Sequence, residues 1–138
     1  LDLDLDLPGT RLVIGDGPDR EALQARYPDA VFVGQKLGAE LAATLAGADV
    51  LVFPSLTDTF GNVVLEAMAC GLPVAAFPVT GPVDVVDDGV TGALDADLGR
   101  AIERALRLDP AACVAQAARY SWRRCTETFL SHLAPRAA

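Results

Sequence analysis

The segment Thr57-Asp58-Thr59-Phe60-Gly61-Asn62-Val63-Val64-Leu65-Glu66 concentrates the residues that could do chemistry. A polar loop enters an apolar helix at Gly61. Free N–H groups at a helix N-terminus form an anion site, and glycine keeps that site open to a phosphate. Glu66 follows among Val63, Val64, Leu65, Ala67, Met68 and Ala69. A carboxylate on so apolar a helix is expected to be at least partly shielded, and shielding an unpaired charge is costly. It should therefore have partners, and a vicinal diol such as a ribose offers two donors to one carboxylate. The competing reading puts Glu66 on a solvated helix face. For Asp58 the competing role is a helix N-cap.

A second candidate is Gly15-Asp16-Gly17-Pro18, between a strand and a helix. A dinucleotide fingerprint asks for a third glycine three positions beyond Gly17, and Arg20 stands there. A P-loop is also absent. Two readings stay open: a tight glycine turn, or a turn whose missing side chains let a ligand approach the backbone. Cys70, Cys113 and Cys125 are odd in number and form no C-x-x-C pair, which argues against a disulfide framework and against zinc. His132 is the only histidine and reads as a solvated helix end.

The elements that must position these residues follow from hydrophobic patterning. Strands are expected at about 10–14, 30–34, 49–53, 72–77 and 91–95. Helices are expected at about 18–27, 38–46 and 60–70, with one or two turns in 82–88. The remainder, about 96–133, reads as helices over 96–108, 110–119 and 122–133, the last capped by Ser121. The alternation Leu1–Leu7 is ambiguous. Apolar strands alternating with helices imply a parallel sheet covered on both faces, with right-handed crossovers and ligands outside the carboxyl ends of the strands. The expected fold is therefore an α/β, Rossmann-like three-layer sandwich in a single domain over 1–138.

Composition narrows the partners. The 138 residues carry a formal net charge of −8, so the chain lacks the basic face that nucleic acid or an anionic membrane would need. Hydrophobic residues make up 51%, enough for a packed core. No apolar run approaches the ~20 residues of a transmembrane helix, and the start has no basic region of the kind that opens a signal peptide. Trp122, Phe129 and Leu133 fall on roughly one helical face. That face is expected to pack on its own domain; the alternative is a partly exposed patch that drives self-association.

The motifs together resemble the C-terminal, donor-binding domain of family-4 retaining glycosyltransferases, which have the two-domain GT-B architecture. That family carries a Glu-x7-Glu motif, and Asp58 and Glu66 stand at its separation. The flanks agree: Ala48-Asp49-Val50-Leu51-Val52-Phe53-Pro54-Ser55 before it and Glu66-Ala67-Met68-Ala69-Cys70-Gly71-Leu72-Pro73-Val74 after it. Gly15-Asp16-Gly17-Pro18 matches the family's Gly-x-Gly-Pro loop, and Asp88-Gly89-Val90-Thr91-Gly92 its Asp-Gly-x-x-Gly segment.

The resemblance implies a sugar nucleotide, UDP- or GDP-linked, as donor substrate and no metal or other cofactor. Glu66 would hold the ribose. Asp58, the residue assigned to the catalytic centre, would face the donor sugar as a positioning group and not as a nucleophile. The donor site would further comprise Thr57, Thr59 and Phe60, with the N–H groups around Gly61, Asn62 and Val63 on the diphosphate. Gly15, Asp16 and Gly17 would line the cleft, and Val33 and Gly34 would lie near the base. Two departures stand out. The first motif residue is Asp, one methylene shorter than Glu. The Arg and Lys that the family places before the glycine turn have no counterpart in Leu1–Ile14, where Arg11 lies inside a strand pattern.

An N-terminal acceptor domain is the partner implied. The chain alone is expected to show no turnover, and a cytoplasmic location follows, membrane-peripheral only through that other domain. The competing functions are an NDP-sugar epimerase of the same architecture and a non-catalytic nucleotide-binding or interaction module. Base, sugar, acceptor and oligomeric state are not encoded in these motifs.

Overall fold

The computed structural model describes residues 9–57 and 60–133. Along the chain run β1 (Leu12–Ile14), α1 (Arg20–Arg26), β2 (Val31–Gly34), α2 (Gly38–Ala46), β3 (Leu51–Phe53), α3 (Asn62–Ala69), β4 (Val74–Ala76), α4 (Pro82–Val85), β5 (Gly92–Leu94), α5 (Leu98–Ala105), α6 (Pro110–Ala117) and α7 (Trp122–Ser131). Each expected element is present, with ends that match or are trimmed by up to three residues. The helix expected from residue 18 begins at Arg20, because Pro18 and Asp19 form a turn ahead of it. Phe60 likewise precedes α3 instead of belonging to it. The alternating segment Leu1–Leu7 lies outside the described residues.

All strand pairs are parallel. β1 pairs with β2, and β3, β4 and β5 form a second ladder in that order. The single sheet expected from the sequence is thus two backbone ladders among the described residues. They are joined by side chains: Ile14 of β1 and Leu51 of β3 pack on one cluster with Leu45, Ala67 and Leu72.

β4 shows why its run of residues is wholly apolar. Side chains alternate across a strand. Val74 and Ala76 join a core with Phe53, Val64, Met68, Val85 and Cys113. Ala75 points the other way, to Ala93, Leu98, Ala101, Ile102 and Ala105. Both faces of the strand are therefore covered, which gives the three layers of an α/β/α sandwich. In α5 the buried residues Leu98, Ala101, Ile102 and Ala105 recur at helical spacing. Its N-cap Asp97 accepts from Arg100 N–H. Asp109 caps α6 ahead of Pro110, and Ser121 caps α7 by accepting from Arg124 N–H.

One expectation fails at α7. Trp122 is 89% exposed and Phe129 64%, and α7 buries no residue. The apolar face does not pack on its own domain, because no described element lies across it.

Candidate functional site

The site is built on the loop that joins β3 to α3. Gly61 is the N-cap of α3 and adopts a left-handed conformation, φ 73° and ψ 62°. A side chain there would be strained, and its Cβ would stand 3.1 Å from Val64 Cγ2. The Val64 N–H closes on the Gly61 carbonyl at 2.9 Å. The N–H groups of Asn62 and Val63 come before that bond and have no intrahelical acceptor. No acidic residue occupies the first turn, so no carboxylate of the helix itself competes for them. Asn62 is exposed, Val63 half-buried and Thr57 exposed. Thr57 N–H reaches Ser55 Oγ at 3.5 Å. Asp58 and Thr59 lie outside the described residues.

Glu66 departs from the shielded carboxylate expected. It is exposed, and its carboxylate makes no hydrogen bond or ion pair with a described residue. The physical reason is the helical period. Val64, Ala67 and Met68 turn into the core, while Asn62, Glu66 and Ala69 share the opposite, open face. The same period places Glu66 one turn along from Asn62, on the face that continues the open N-terminus. An unpartnered carboxylate there is free to accept from a ligand.

The second group gathers at the carboxyl ends of β1 and β2. Gly15, at φ 131°, donates its N–H to the Gly34 carbonyl at 2.9 Å. Gly15 and Gly17 face open space where a Cβ would stand. Asp16 folds onto its own loop: Oδ1 accepts from Gly17 N–H at 2.9 Å and Oδ2 pairs with Arg20 at 3.2 Å. Gly34, at φ 73°, lies under Arg20, whose Nη1 would be 3.3 Å from a Cβ there. Val33 is half-buried beside it. The two groups share one support. Ile14, just before Gly15, and Ala67, just after Glu66, pack in the same cluster.

Sequence reasoning missed two residues next to these loops. Arg20 breaks the dinucleotide fingerprint, and its i, i+4 spacing from Asp16 ahead of a helix signals the ion pair. Tyr120 meets the Phe60 ring edge-on, with centroids 6.3 Å apart, and no local pattern links positions so distant in sequence. The described residues hold no group of three or more His, Cys, Asp or Glu placed to bind a metal ion. Among them no helix is long and apolar enough to cross a membrane.

Comparison with known proteins places this geometry in context. A GDP-mannose-dependent alpha-mannosyltransferase of Corynebacterium glutamicum is 41% identical over 60% of this chain and 20% of its own length. A D-inositol 3-phosphate glycosyltransferase of Mycolicibacterium paratuberculosis is 36% identical over 91% of this chain and 34% of its own. The chain therefore spans about a fifth to a third of the curated relatives it matches. The crystal structure of Anabaena HepE in complex with UDP superposes with a TM-score of 0.67 at 22% identity, over 88% of this chain and 41% of that one. The fold is thus that of a GT-B glycosyltransferase domain. The profile of the family described as glycosyl transferases group 1 matches residues 8–108, and the chain belongs to that family.

Proposed function

We propose that this chain is the donor-binding domain of a retaining glycosyltransferase, which moves a sugar from a nucleoside diphosphate to an acceptor held by another domain. The observation that carries the reading is that the Asn62 and Val63 N–H groups of α3 have no intrahelical acceptor and are followed, one turn along the same face, by an exposed Glu66 whose carboxylate has no partner among the described residues. The Asn62 and Val63 N–H groups hold the diphosphate. Their partial positive charge stabilises the negative charge that builds on the leaving diphosphate as the bond to the sugar breaks. Glu66 accepts from the two ribose hydroxyls. Asp58 positions the donor sugar, and Gly15 and Gly17, which face open space where a Cβ would stand, leave room for backbone approach beside the base.

The name of one relative supports a choice of donor base. The C. glutamicum relative is named for GDP-mannose, and it is closer in sequence than HepE, whose likeness concerns the fold. A GDP-linked sugar is accordingly placed ahead of a UDP-linked one, with no resident metal. The exposed apolar face of α7 supports an acceptor domain as the partner that covers it. The chain alone then lacks half of the cleft and does not turn over. Product analysis tests the reading. A longer protein containing this chain should transfer sugar from a nucleoside diphosphate sugar with the anomeric configuration kept. A changed stereocentre with no transfer would assign an epimerase instead.

A further inference from the structure

The contact between Phe60 and Tyr120 links the β3–α3 loop to the far end of the chain. Phe60 is the residue before Gly61, so the direction of its ring is tied to the backbone that opens the α3 N-terminus. Tyr120 sits in the short connection between α6 and α7, directly before the N-cap Ser121. It is fixed at three points. Its N–H donates to Ala117 O at 3.0 Å, its hydroxyl donates to Asp84 O at 3.2 Å, and its ring meets Phe60 at an interplanar angle of 64°. Asp84 belongs to α4, and its carboxylate accepts from Gly81 N–H at 3.3 Å. One side chain thus ties the β3–α3 loop, the helix after β4 and the start of α7 together.

Tyr120 is 40% exposed and Phe60 42%, so burial of area is not the main consequence of the contact. Edge-to-face rings hold a direction as well as a distance. We infer that Tyr120 is a positioning residue for the donor loop, acting through Phe60 to hold Gly61 and the Asn62 and Val63 N–H groups in the geometry that receives a diphosphate. The inference rests on the donor-site reading above for its functional consequence, but its structural half stands apart from it. Because Tyr120 adjoins α7, the same contact makes the donor loop sensitive to how α7 is held.

Hydrogen exchange on the 138-residue chain separates the two halves. In Tyr120→Leu the Val64 amide, bonded to Gly61 O, should exchange about three- to tenfold faster, the range an edge-to-face pair carries. The Val74–Ala76 amides of β4 should keep their rates. Tyr120→Phe retains the ring and should restore the Val64 rate, while Phe60→Leu should reproduce Tyr120→Leu and add nothing to it in the double variant. An unchanged Val64 amide in Tyr120→Leu overturns the inference. So does acceleration at β4 in parallel with Val64, in Tyr120→Leu and Phe60→Leu alike, which would mean general loosening. A GDP titration of the same proteins reads the function. Weaker binding in Tyr120→Leu with rescue in Tyr120→Phe supports the full inference. Altered exchange with equal GDP affinity in all variants overturns its functional half. Altered exchange in a protein that binds neither GDP nor UDP at any length leaves the contact standing and removes the donor-site reading.

Discussion

Arg104 and Asp88 close the turn before β5 as a two-bonded ion pair. Arg104 Nη2 donates to both carboxylate oxygens of Asp88, at 2.9 and 3.0 Å. Asp88 Oδ1 also accepts from Leu94 N–H at 2.8 Å, and Arg104 Nη1 donates to Leu94 O at 3.3 Å. The Asp-Gly-x-x-Gly segment is therefore a structural clasp: it fixes β5 to α5 and so completes the sheet. Asp88, the first residue of that segment, thereby acts as a strut of the fold.

The clasp gives a pH dependence. The Leu94 N–H, with Arg104 beside it, holds the Asp88 carboxyl below its ordinary value of 3.8. A carboxyl lowered in the folded state contributes stability above its unfolded value and loses it as pH falls through the folded one. The pair is half-exposed, so solvent screens it and Asp88→Asn should cost about 1 kcal/mol at neutral pH. Urea denaturation should show that cost shrinking as the pH drops below 3.8. A cost independent of pH would place the loss in packing.

Gly92 is set by closeness, not by backbone angle. A Cβ there would lie 2.4 Å from Val74 O and 2.7 Å from Val86 Cγ1. Backbone cannot yield as a side-chain tip can, so Gly92→Ala should destabilise by ~3 kcal/mol or more. Thermal unfolding checks this, with Gly17→Ala as the control, since a Cβ at Gly17 meets open space.

Trp122 is the only tryptophan and reports α7 directly. With 89% of it exposed, its fluorescence should be red-shifted and readily quenched by iodide. Quenching that falls as protein concentration rises, with a matching increase in light scattering, would show α7 covering itself with a second copy. A blue-shifted, protected indole in dilute solution would contradict the exposed face.

The cysteines should differ in reactivity. Cys113 is buried, and burial, with the Asp109 carboxylate nearby, pushes its thiol above the ordinary range. Cys125 is exposed. Iodoacetamide at mildly alkaline pH should label Cys125 quickly and Cys113 only on unfolding, as mass mapping would show.

Element order was readable because each strand and helix has its own local signal. The apolar runs at Leu51–Phe53 and Val74–Ala76 are period-free since both faces are covered, and Ser121 and Asp109 mark helix starts by type alone. Gly61 was readable as the point where a polar loop enters an apolar helix, whereas its left-handed N-cap conformation is a finding of the structure. The exposure of Glu66 is not legible from its apolar neighbours along the chain. Its neighbours in sequence turn into the core, and helical phase decides where the carboxylate points. The open face of α7 and the Tyr120–Phe60 contact depend on tertiary arrangement, which no window of sequence contains.

The proposed nucleoside diphosphate site lies on α3, at Gly61–Val63 and Glu66. The most direct measurement is a ligand-observed NMR titration of the chain with GDP, UDP and NAD, repeated on Glu66→Ala. Glu66 is exposed and unpartnered, so the substitution should leave folding stability within about 0.5 kcal/mol. Saturable binding of one nucleoside diphosphate is expected, GDP ahead of UDP, with no binding of NAD and an affinity loss of roughly tenfold or more in Glu66→Ala as the ribose contacts go. Equal affinity in the folded variant, or failure of both diphosphates to bind this chain and a longer protein containing it, would rule out a nucleoside diphosphate site on α3.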